Sequence, residues 1–167
     1  MIKPLLQKII VAVNGSQSSV HAAMYGIMLS KQYKCTLKAV YVVDISTLKQ
    51  LTMSRIFIEE ESNEYEIRLE EDGRRYLSYL EKMANEKGVK IETELKKGAV
   101  WSELIKSAED FDADLILVGG REFSDASSAS ILRYDKISRT NAEIIGSASC
   151  NVLVVQDNDI EKLFKIA

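Results

Sequence analysis

The chain has 167 residues, of which 46% are apolar, and its 22 basic and 25 acidic side chains give a net charge of −3. At this length we expect one domain over residues 1–167 with a well-filled core. The acidic balance excludes the basic face of a nucleic-acid-binding protein, and no apolar run is long enough to span a bilayer. Residues 1–8 lack the apolar stretch of a secretory signal, so we expect a cytoplasmic protein without nucleic acid or membrane partners.

The first half of the chain predicts a strand, a helix and a second strand. Residues 8–14 hold a continuous apolar run that is bounded by a charge on one side and by Asn-Gly on the other, which is typical of a strand buried on both faces. Residues 15–19 offer a turn and a helix N-cap, and apolar residues then recur at helical spacing through Met28. A second β-rich run covers 36–43. Residues 45–60 show no clean periodicity, so we expect a long connection there.

The second half continues the alternation of helices and strands. Apolar spacing and flanking turn residues predict a helix at 61–87, a strand at 89–95, a helix at 101–108, a strand at 114–119, a helix at 137–145 and a strand at 151–155. Apolar residues at helical spacing within 158–167 predict a short final helix, which we expect to pack on its own chain.

This alternation indicates the fold class. Strands separated by helices predict an α/β fold, with an open, five-stranded, mainly parallel sheet covered by helices on both faces in a Rossmann-like arrangement. Such sheets bind ligands at the carboxyl ends of the strands, where strand order reverses. The candidate loops are therefore 14–19, 42–44 and 119–139.

Reactive residues are few, and this excludes several kinds of site. One His and two Cys are too few for a clustered zinc site, and HExxH, CxxC, GxSxG, Walker A and GxGxxG motifs are absent. A Ser-His-Asp arrangement would have to use His21, which we interpret instead as a solvated helix residue. We interpret Cys35 and Cys150 as buried thiols of a reducing compartment.

Several short motifs occur in a characteristic order along the chain. They are Ile9 to Ser16, Ser19 with Ala22, Lys97-Gly98, Ala113 to Gly119 and Asn151 to Val155. Over residues 6–156 they resemble the universal stress protein family and its UspA-like domain. The resemblance implies a fold similar to the adenine nucleotide alpha hydrolases, a homodimer formed through the last strands, and no defined catalytic activity. Many members of the family bind ATP or AMP.

The resemblance also implies a nucleotide motif that is degenerate here. Nucleotide-binding members carry an Asp after the first strand, which is Asn14 in this chain, and an aliphatic contact to adenine, which is Val42. Their Gly-x-x-Gly, nine residues, Gly-Ser/Thr motif matches Gly119, but its second glycine falls on Glu122. The Gly-Ser pair falls on Ser138-Arg139, after 15 residues instead of nine. ATP binding is expected to be weakened, because glycine lets backbone N–H groups approach phosphate.

Four cations surround this altered loop: Arg121, Arg133, Lys136 and Arg139. Two interpretations stay open, since these side chains either neutralise a bound anion or pair with nearby carboxylates and face water. The small polar segment 124–130 is expected to form a mobile flap, which is either a lid or only a loop.

Three functions follow from these observations. The first is a non-catalytic, cytoplasmic, dimeric regulatory or binding module of the stress response, with weakened or lost ATP binding. The alternative is a stress sensor that binds AMP or ATP through Asn14, Val42, Gly119, Gly120, Arg121, Ser138 and Arg139. The third is a nucleotide hydrolase or adenylating enzyme, for which the sequence offers no Walker lysine and no convincing general base.

The last predicted strand suggests how a dimer would form. At a sheet edge, its backbone groups would be a template for pairing with the same strand of a second chain. Val152 and Val154 are expected on one face of the sheet, and Leu153 and Val155 on the other.

Overall fold

The computed structural model describes residues 2–55, 58–120, 139–157 and 159–167. Its strands are β1 (Lys8–Val13), β2 (Thr36–Asp44), β3 (Ile91–Gly98), β4 (Leu115–Gly119) and β5 (Asn151–Val155). Its helices are α1 (Gln17–Tyr33), α2 (Ile45–Met53), α3 (Glu59–Glu86), α4 (Val100–Phe111), α5, described over 139–147, and α6 (Ile160–Ile166). Across these described ranges, no helix has the length and apolar character needed to cross a lipid bilayer.

The five strands form one parallel sheet in the order β3-β2-β1-β4-β5. From β1 the chain builds outward through β2 to β3, and it then crosses back to the opposite side of β1 for β4 and β5. Strand order therefore reverses between β1 and β4. The predicted α/β fold with an open parallel sheet is confirmed, and this reversal marks the place where such sheets bind ligands.

Side chains of the sheet alternate between two apolar layers. Ile9 and Val11 of β1 face one layer and Ile10 faces the other, and all three are fully buried. The first layer is closed by α1, α3 and α6, and the second by α4 and α5. A strand enclosed on both faces has no polar positions, which explains the continuous apolar run in β1.

Residues 45–53 correct the expectation of a long irregular connection over 45–60, because they form α2. Asp44 caps this helix: its carboxylate accepts hydrogen bonds from the Thr47 backbone N–H at 3.2 Å and from the hydroxyls of Ser46 and Thr47 at 2.8 Å. Burial alone would raise the pKa of Asp44, but these hydrogen bonds outweigh it and hold the pKa below its usual value. Leu48 is the buried residue of α2, so its apolar periodicity is weak.

The start of β3 also differs from the sequence prediction. Val89 is apolar and follows the alternating pattern, yet its backbone N–H bonds to the carbonyl of Ala84 at the end of α3. This bond closes the helix end, so β3 begins later, at Ile91.

The final helix packs on its own chain, as predicted. Ile160 and Phe164 of α6 are buried against α1 and α3, and the Lys87 ammonium lies 4.8 Å from the centre of the Phe164 ring. His21 Nε2 lies 3.0 Å from Glu161 Oε1, and the His21 side chain is only 12% exposed. The interpretation of His21 as a solvated residue is therefore wrong, since it joins α1 to α6.

Both cysteines are free thiols. Cys35 is buried as expected, whereas Cys150 is only half-buried, at the residue before β5. Burial raises the pKa of each thiol above its usual value. Neither is therefore poised as a thiolate near neutral pH.

A polar cluster joins β2, β3 and α4. The Glu94 carboxylate accepts a hydrogen bond from the Ser107 hydroxyl at 2.6 Å, and it pairs with the ammonium groups of Lys38 and Lys96. Burial would raise the pKa of Glu94, but the hydrogen bonds from Lys38, Ser107 and Lys96 lower it to about 2.

This pKa predicts a pH-dependent contribution to stability. Because the folded-state pKa is depressed, the contribution is complete above the ordinary value of 4.5 and is lost as the pH falls toward about 2. We expect Glu94→Gln to lower the free energy of unfolding at pH 7 by about 1–2 kcal/mol. Urea unfolding of both proteins should show this difference shrinking between pH 4.5 and 2. A difference that stays constant over that range would contradict the assignment.

Two helical glycines make a matched pair for a packing test. A Cβ on Gly73 of α3 would lie 2.7 Å from Tyr41 Cδ1 and 2.8 Å from Leu95 Cδ1, whereas one on Gly146 of α5 would meet no described atom within 4 Å. We expect Gly73→Ala to lower the free energy of unfolding by about 1–3 kcal/mol, because the helix cannot sit as close to the sheet. Gly146→Ala should raise it by about 0.5–1 kcal/mol through helix propensity. Chemical denaturation that gives both variants the same sign would contradict this.

Candidate functional site

A cavity of about 320 Å³ lies at the carboxyl ends of β1, β2 and β4, where strand order reverses. Its floor is apolar and includes Val40 and Val42 of β2 and Val118 of β4. Leu104 of α4 and Ile144 of α5 close it from the helical layer. The fold thus places a small, mainly aliphatic pocket where open α/β sheets bind ligands.

The turn between β1 and α1 forms one polar wall of the cavity. The Asn14 side-chain oxygen accepts a hydrogen bond from the Ser16 backbone N–H at 3.0 Å, and Gly15 supplies the positive φ of 83° that this tight turn requires. Ser16 then caps α1, because its hydroxyl accepts from the Ser19 backbone N–H at 3.2 Å. Asn14 and Ser16 are therefore held in place by the local turn.

Ser19 connects this turn to α3. Its hydroxyl donates to the Ser16 carbonyl at 2.9 Å and accepts from the Asn14 backbone N–H at 3.3 Å. The Tyr76 hydroxyl lies 3.4 Å from the same oxygen, and because the Ser19 hydrogen is already used, Tyr76 is the donor. Burial raises the pKa of Tyr76, so the phenol keeps the proton that it donates.

Gly119 brings the end of β4 against the first turn of α1. A Cβ at this position would lie 2.7 Å from the carbonyl carbon of Ser18 and 2.8 Å from its oxygen. These are backbone atoms that cannot rotate away, so only glycine permits this approach. On the other side, the Asn141 amide donates to the Gly119 carbonyl at 3.1 Å and holds α5 against β4.

Three of the residues that the sequence singles out line the cavity. Asn14 lies at its polar wall, Val42 in its apolar floor and Gly119 at its edge. The structure brings them together because β1, β2 and β4 are neighbours and end at the same edge of the sheet.

The other candidate residues lie elsewhere or outside the described part of the chain. Gly120 is not among the lining residues, and its backbone N–H donates to the carbonyl of Val155, the last residue of β5, at 2.9 Å. Arg139 is exposed at the start of the described part of α5 and does not line the cavity. Arg121 and Ser138 fall within residues 121–138, outside the described residues, as do Glu122, the other two cations of the altered loop and the segment expected to form a flap.

Sequence reasoning missed the walls that come from helices. Val100 and Leu104 of α4 and Thr140 and Asn141 of α5 all line the cavity. The spacing of Thr140, Asn141 and Ile144 places them on one face of a helix, and this spacing could have predicted that α5 lines the cavity.

The described lining side chains carry no formal charge. The polar ones are amides and hydroxyls, from Asn14, Ser16, Ser18, Ser19, Thr140 and Asn141. Asp44 follows β2 at the same edge, but its carboxylate is occupied in capping α2. Over the described ranges, no group of three or more His, Cys, Asp or Glu side chains has the arrangement of a metal site. The described part of the cavity wall therefore offers an apolar surface and neutral hydrogen-bonding groups.

The candidate dimer residues lie in β5, which forms one edge of the sheet. Val152 and Val154 pack toward the layer of α4 and α5, and Leu153 and Val155 toward the layer of α1 and α3. These are the faces that the alternation of the strand predicts.

Comparisons with known proteins agree on one family. The sequence model of the Universal stress protein family matches residues 6–156. Universal stress protein MJ0531 from Methanocaldococcus jannaschii is 33% identical over 152 residues, which cover 91% of this chain and 83% of that protein.

Solved structures share the fold. A universal stress protein family member from Burkholderia pseudomallei superposes with a TM-score of 0.71 at 22% identity. The superposition covers 93% of this chain and 100% of the Burkholderia protein. A family protein from Arabidopsis thaliana, solved with AMP bound, gives a TM-score of 0.64 at 17% identity, covering 93% and 94% of the two chains. This chain therefore belongs to the universal stress protein family.

Proposed function

We propose that this protein is a non-catalytic regulatory or binding module of the cytoplasmic stress response. It takes a nucleoside-type ligand in the cavity at the reversal of strand order, binds ATP weakly, and acts as a homodimer through β5. The observation that carries the proposal is the cavity itself, with an aliphatic floor and a wall of amides and hydroxyls.

The pocket has the size and composition of a small-molecule site. Its volume of about 320 Å³ falls in the range of ligand pockets, and apolar walls with a few fixed polar groups suit a planar heterocycle that carries hydroxyls. The AMP bound by the relative from Arabidopsis thaliana supports an adenine nucleotide or nucleoside as the ligand class.

Weak ATP binding is supported by the sequence of the phosphate loop and by the charge of the described wall. Glu122 and Ser138 stand at motif positions that are glycine in nucleotide-binding relatives. The described lining residues offer no cation that would offset the charge of a triphosphate.

A non-catalytic role is supported by the chemistry of the same wall. A general acid or base needs a titratable group within hydrogen-bond reach of the substrate. The described lining residues provide hydroxyls and amides, and the single His of the chain, His21, is paired with Glu161 on α6.

Dimerisation through β5 is supported by the orientation of its backbone. The Val155 carbonyl accepts from Gly120 N–H at 2.9 Å and therefore faces β4. Because backbone groups alternate in direction along a strand, the N–H and C=O groups of Val154 and Val152 face away from the sheet. Over the described ranges no strand pairs with them on that side, so they offer a template for a second chain.

The ligand proposal predicts saturable binding of AMP by the nucleotide-stripped protein. We expect Val42→Phe to weaken AMP binding about tenfold or more, because the ring fills space above the apolar floor. Ile67→Phe on the exposed face of α3 is the matched control and should leave the dissociation constant unchanged. Isothermal titration calorimetry measures both, and incubation with ATP should yield no hydrolysis product above background. Failure to bind AMP or adenosine, or steady turnover of ATP, would contradict the proposal.

The dimer proposal predicts an effect confined to the outer edge of β5. Val154→Pro removes an outward N–H without touching the hydrogen bonds to β4. Val152→Lys places a charge next to that edge, on the face of the sheet that packs toward α4 and α5. Light scattering coupled to size exclusion should give about twice the chain mass of 18.8 kDa for the native protein and the single chain mass for both variants. Circular dichroism checks that the variants are folded. A native protein that elutes at one chain mass would refute this assembly.

A further inference from the structure

A second cavity lies in the helical layer of α1, α3 and α6, away from the candidate site at the carboxyl edge of the sheet. We propose that this cavity binds a small amphipathic carboxylate with an unbranched alkyl chain. The floor of the cavity holds the chain, and lysine ammonium groups at its mouth hold the carboxylate. The inference goes beyond the proposed function, and either can fail while the other stands.

The shape of the second cavity suits a chain. Its volume is about 340 Å³, which lies at the lower end of the range for small-molecule pockets. On α3 its lining runs from Tyr79 to Glu86, a length of about 10 Å at the rise of an α-helix. On α6 it runs from Glu161 to Lys165. Two helix surfaces thus form the sides of a short groove, and α1 contributes to its floor.

The floor is made of adaptable and aromatic apolar side chains. Met83 of α3 and Phe164 of α6 are each 7% exposed, and Met24 of α1 is half-buried in the same cavity. Methionine is unbranched and polarisable, so two thioether side chains can adjust to an alkyl chain that has no fixed shape. Binding of such a chain gains free energy in proportion to the apolar area that leaves water.

Two ammonium groups at the mouth have no ion-pair partner in the described part of the chain. Lys82 of α3 and Lys165 of α6 both line the cavity and are exposed. Neither forms an ion pair within the described ranges. Lysine stems commonly lie along apolar surface with the ammonium in water. A carboxylate at the mouth can therefore meet these groups while its chain lies on the floor.

The carboxylates near the mouth do not cancel this charge. Glu161 Oε1 is occupied by His21 Nε2 at 3.0 Å, which leaves Glu86 as the other carboxylate of the lining. Lys87 follows Glu86 and adds an ammonium 4.8 Å from the centre of the Phe164 ring. Three ammonium groups thus stand against two carboxylates, so the net charge around the mouth is positive although that of the chain is −3. This sign favours an anionic head group.

Decanoate is the probe, titrated by calorimetry into the full-length, nucleotide-stripped protein below the concentration at which it forms micelles. We expect one saturable site per chain. Decylammonium, which has a chain of similar length and the opposite charge, should bind at least fivefold more weakly. Saturation with AMP should leave decanoate binding unchanged. In NMR spectra of methyl-labelled methionine, decanoate should shift the signals of Met24 and Met83 and leave that of Met53, exposed at the end of α2, in place.

Two double variants with the same net charge test the role of the mouth. Lys82→Gln combined with Lys165→Gln should weaken decanoate binding about fivefold, because exposed ion pairs each contribute modestly. Lys49→Gln combined with Lys106→Gln removes the same charge from exposed positions on α2 and α4, and should leave the dissociation constant unchanged. Circular dichroism checks that both proteins are folded.

Four results would overturn the inference: no saturable binding of decanoate, equal binding of decylammonium, equal loss in the two double variants, or decanoate shifts that spare Met24 and Met83. Competition between AMP and decanoate would also overturn it, because it would place the alkyl chain in the cavity at the carboxyl edge. None of these results contradicts the proposed function, which is tested by AMP binding in the absence of decanoate.

Discussion

The contact between the end of β4 and the first turn of α1 leaves no room for a side chain, and the site depends on it. Gly119 lies so close to the Ser18 backbone that a Cβ would overlap it. This approach holds the β1–α1 turn, with Asn14 and Ser16, beside the end of β4. The carbonyl of the same glycine anchors α5 through Asn141. One glycine therefore joins three of the elements that surround the cavity.

The sheet and its ligand edge could be predicted from the sequence because their causes are local. A strand buried on both faces must be apolar throughout, and residues 9–13 show this directly. The helix walls could not be predicted in the same way, since Leu104 reaches the cavity through tertiary packing rather than through any motif. Asp44 illustrates a related limit. The sequence places it in a candidate ligand loop, but its carboxylate caps α2, a helix that the weak apolar periodicity of residues 45–53 does not predict.

The degenerate motif and the cavity bear on different parts of the proposed ligand. The motif concerns phosphate, and its altered positions fall largely within 121–138, outside the described residues. The cavity is the place of the nucleoside in the proposed function, and its described walls are aliphatic and neutral. The altered motif positions therefore leave the described part of the cavity in place, and a family fold can keep a cavity while the residues around it change.

The two edges of the sheet differ in a way that limits the growth of any assembly. β5 carries only apolar side chains from Val152 to Val155, whereas β3 carries Glu94 and Lys97, which are paired within the chain to Lys38 and Lys96 and to Glu66 and Glu70. A strand added at β3 would lie beside these charged side chains, which disfavours pairing at that edge. In the proposed pairing at β5, a twofold axis would use up the receptive edge of each copy, so that association would end at two chains instead of propagating into a filament.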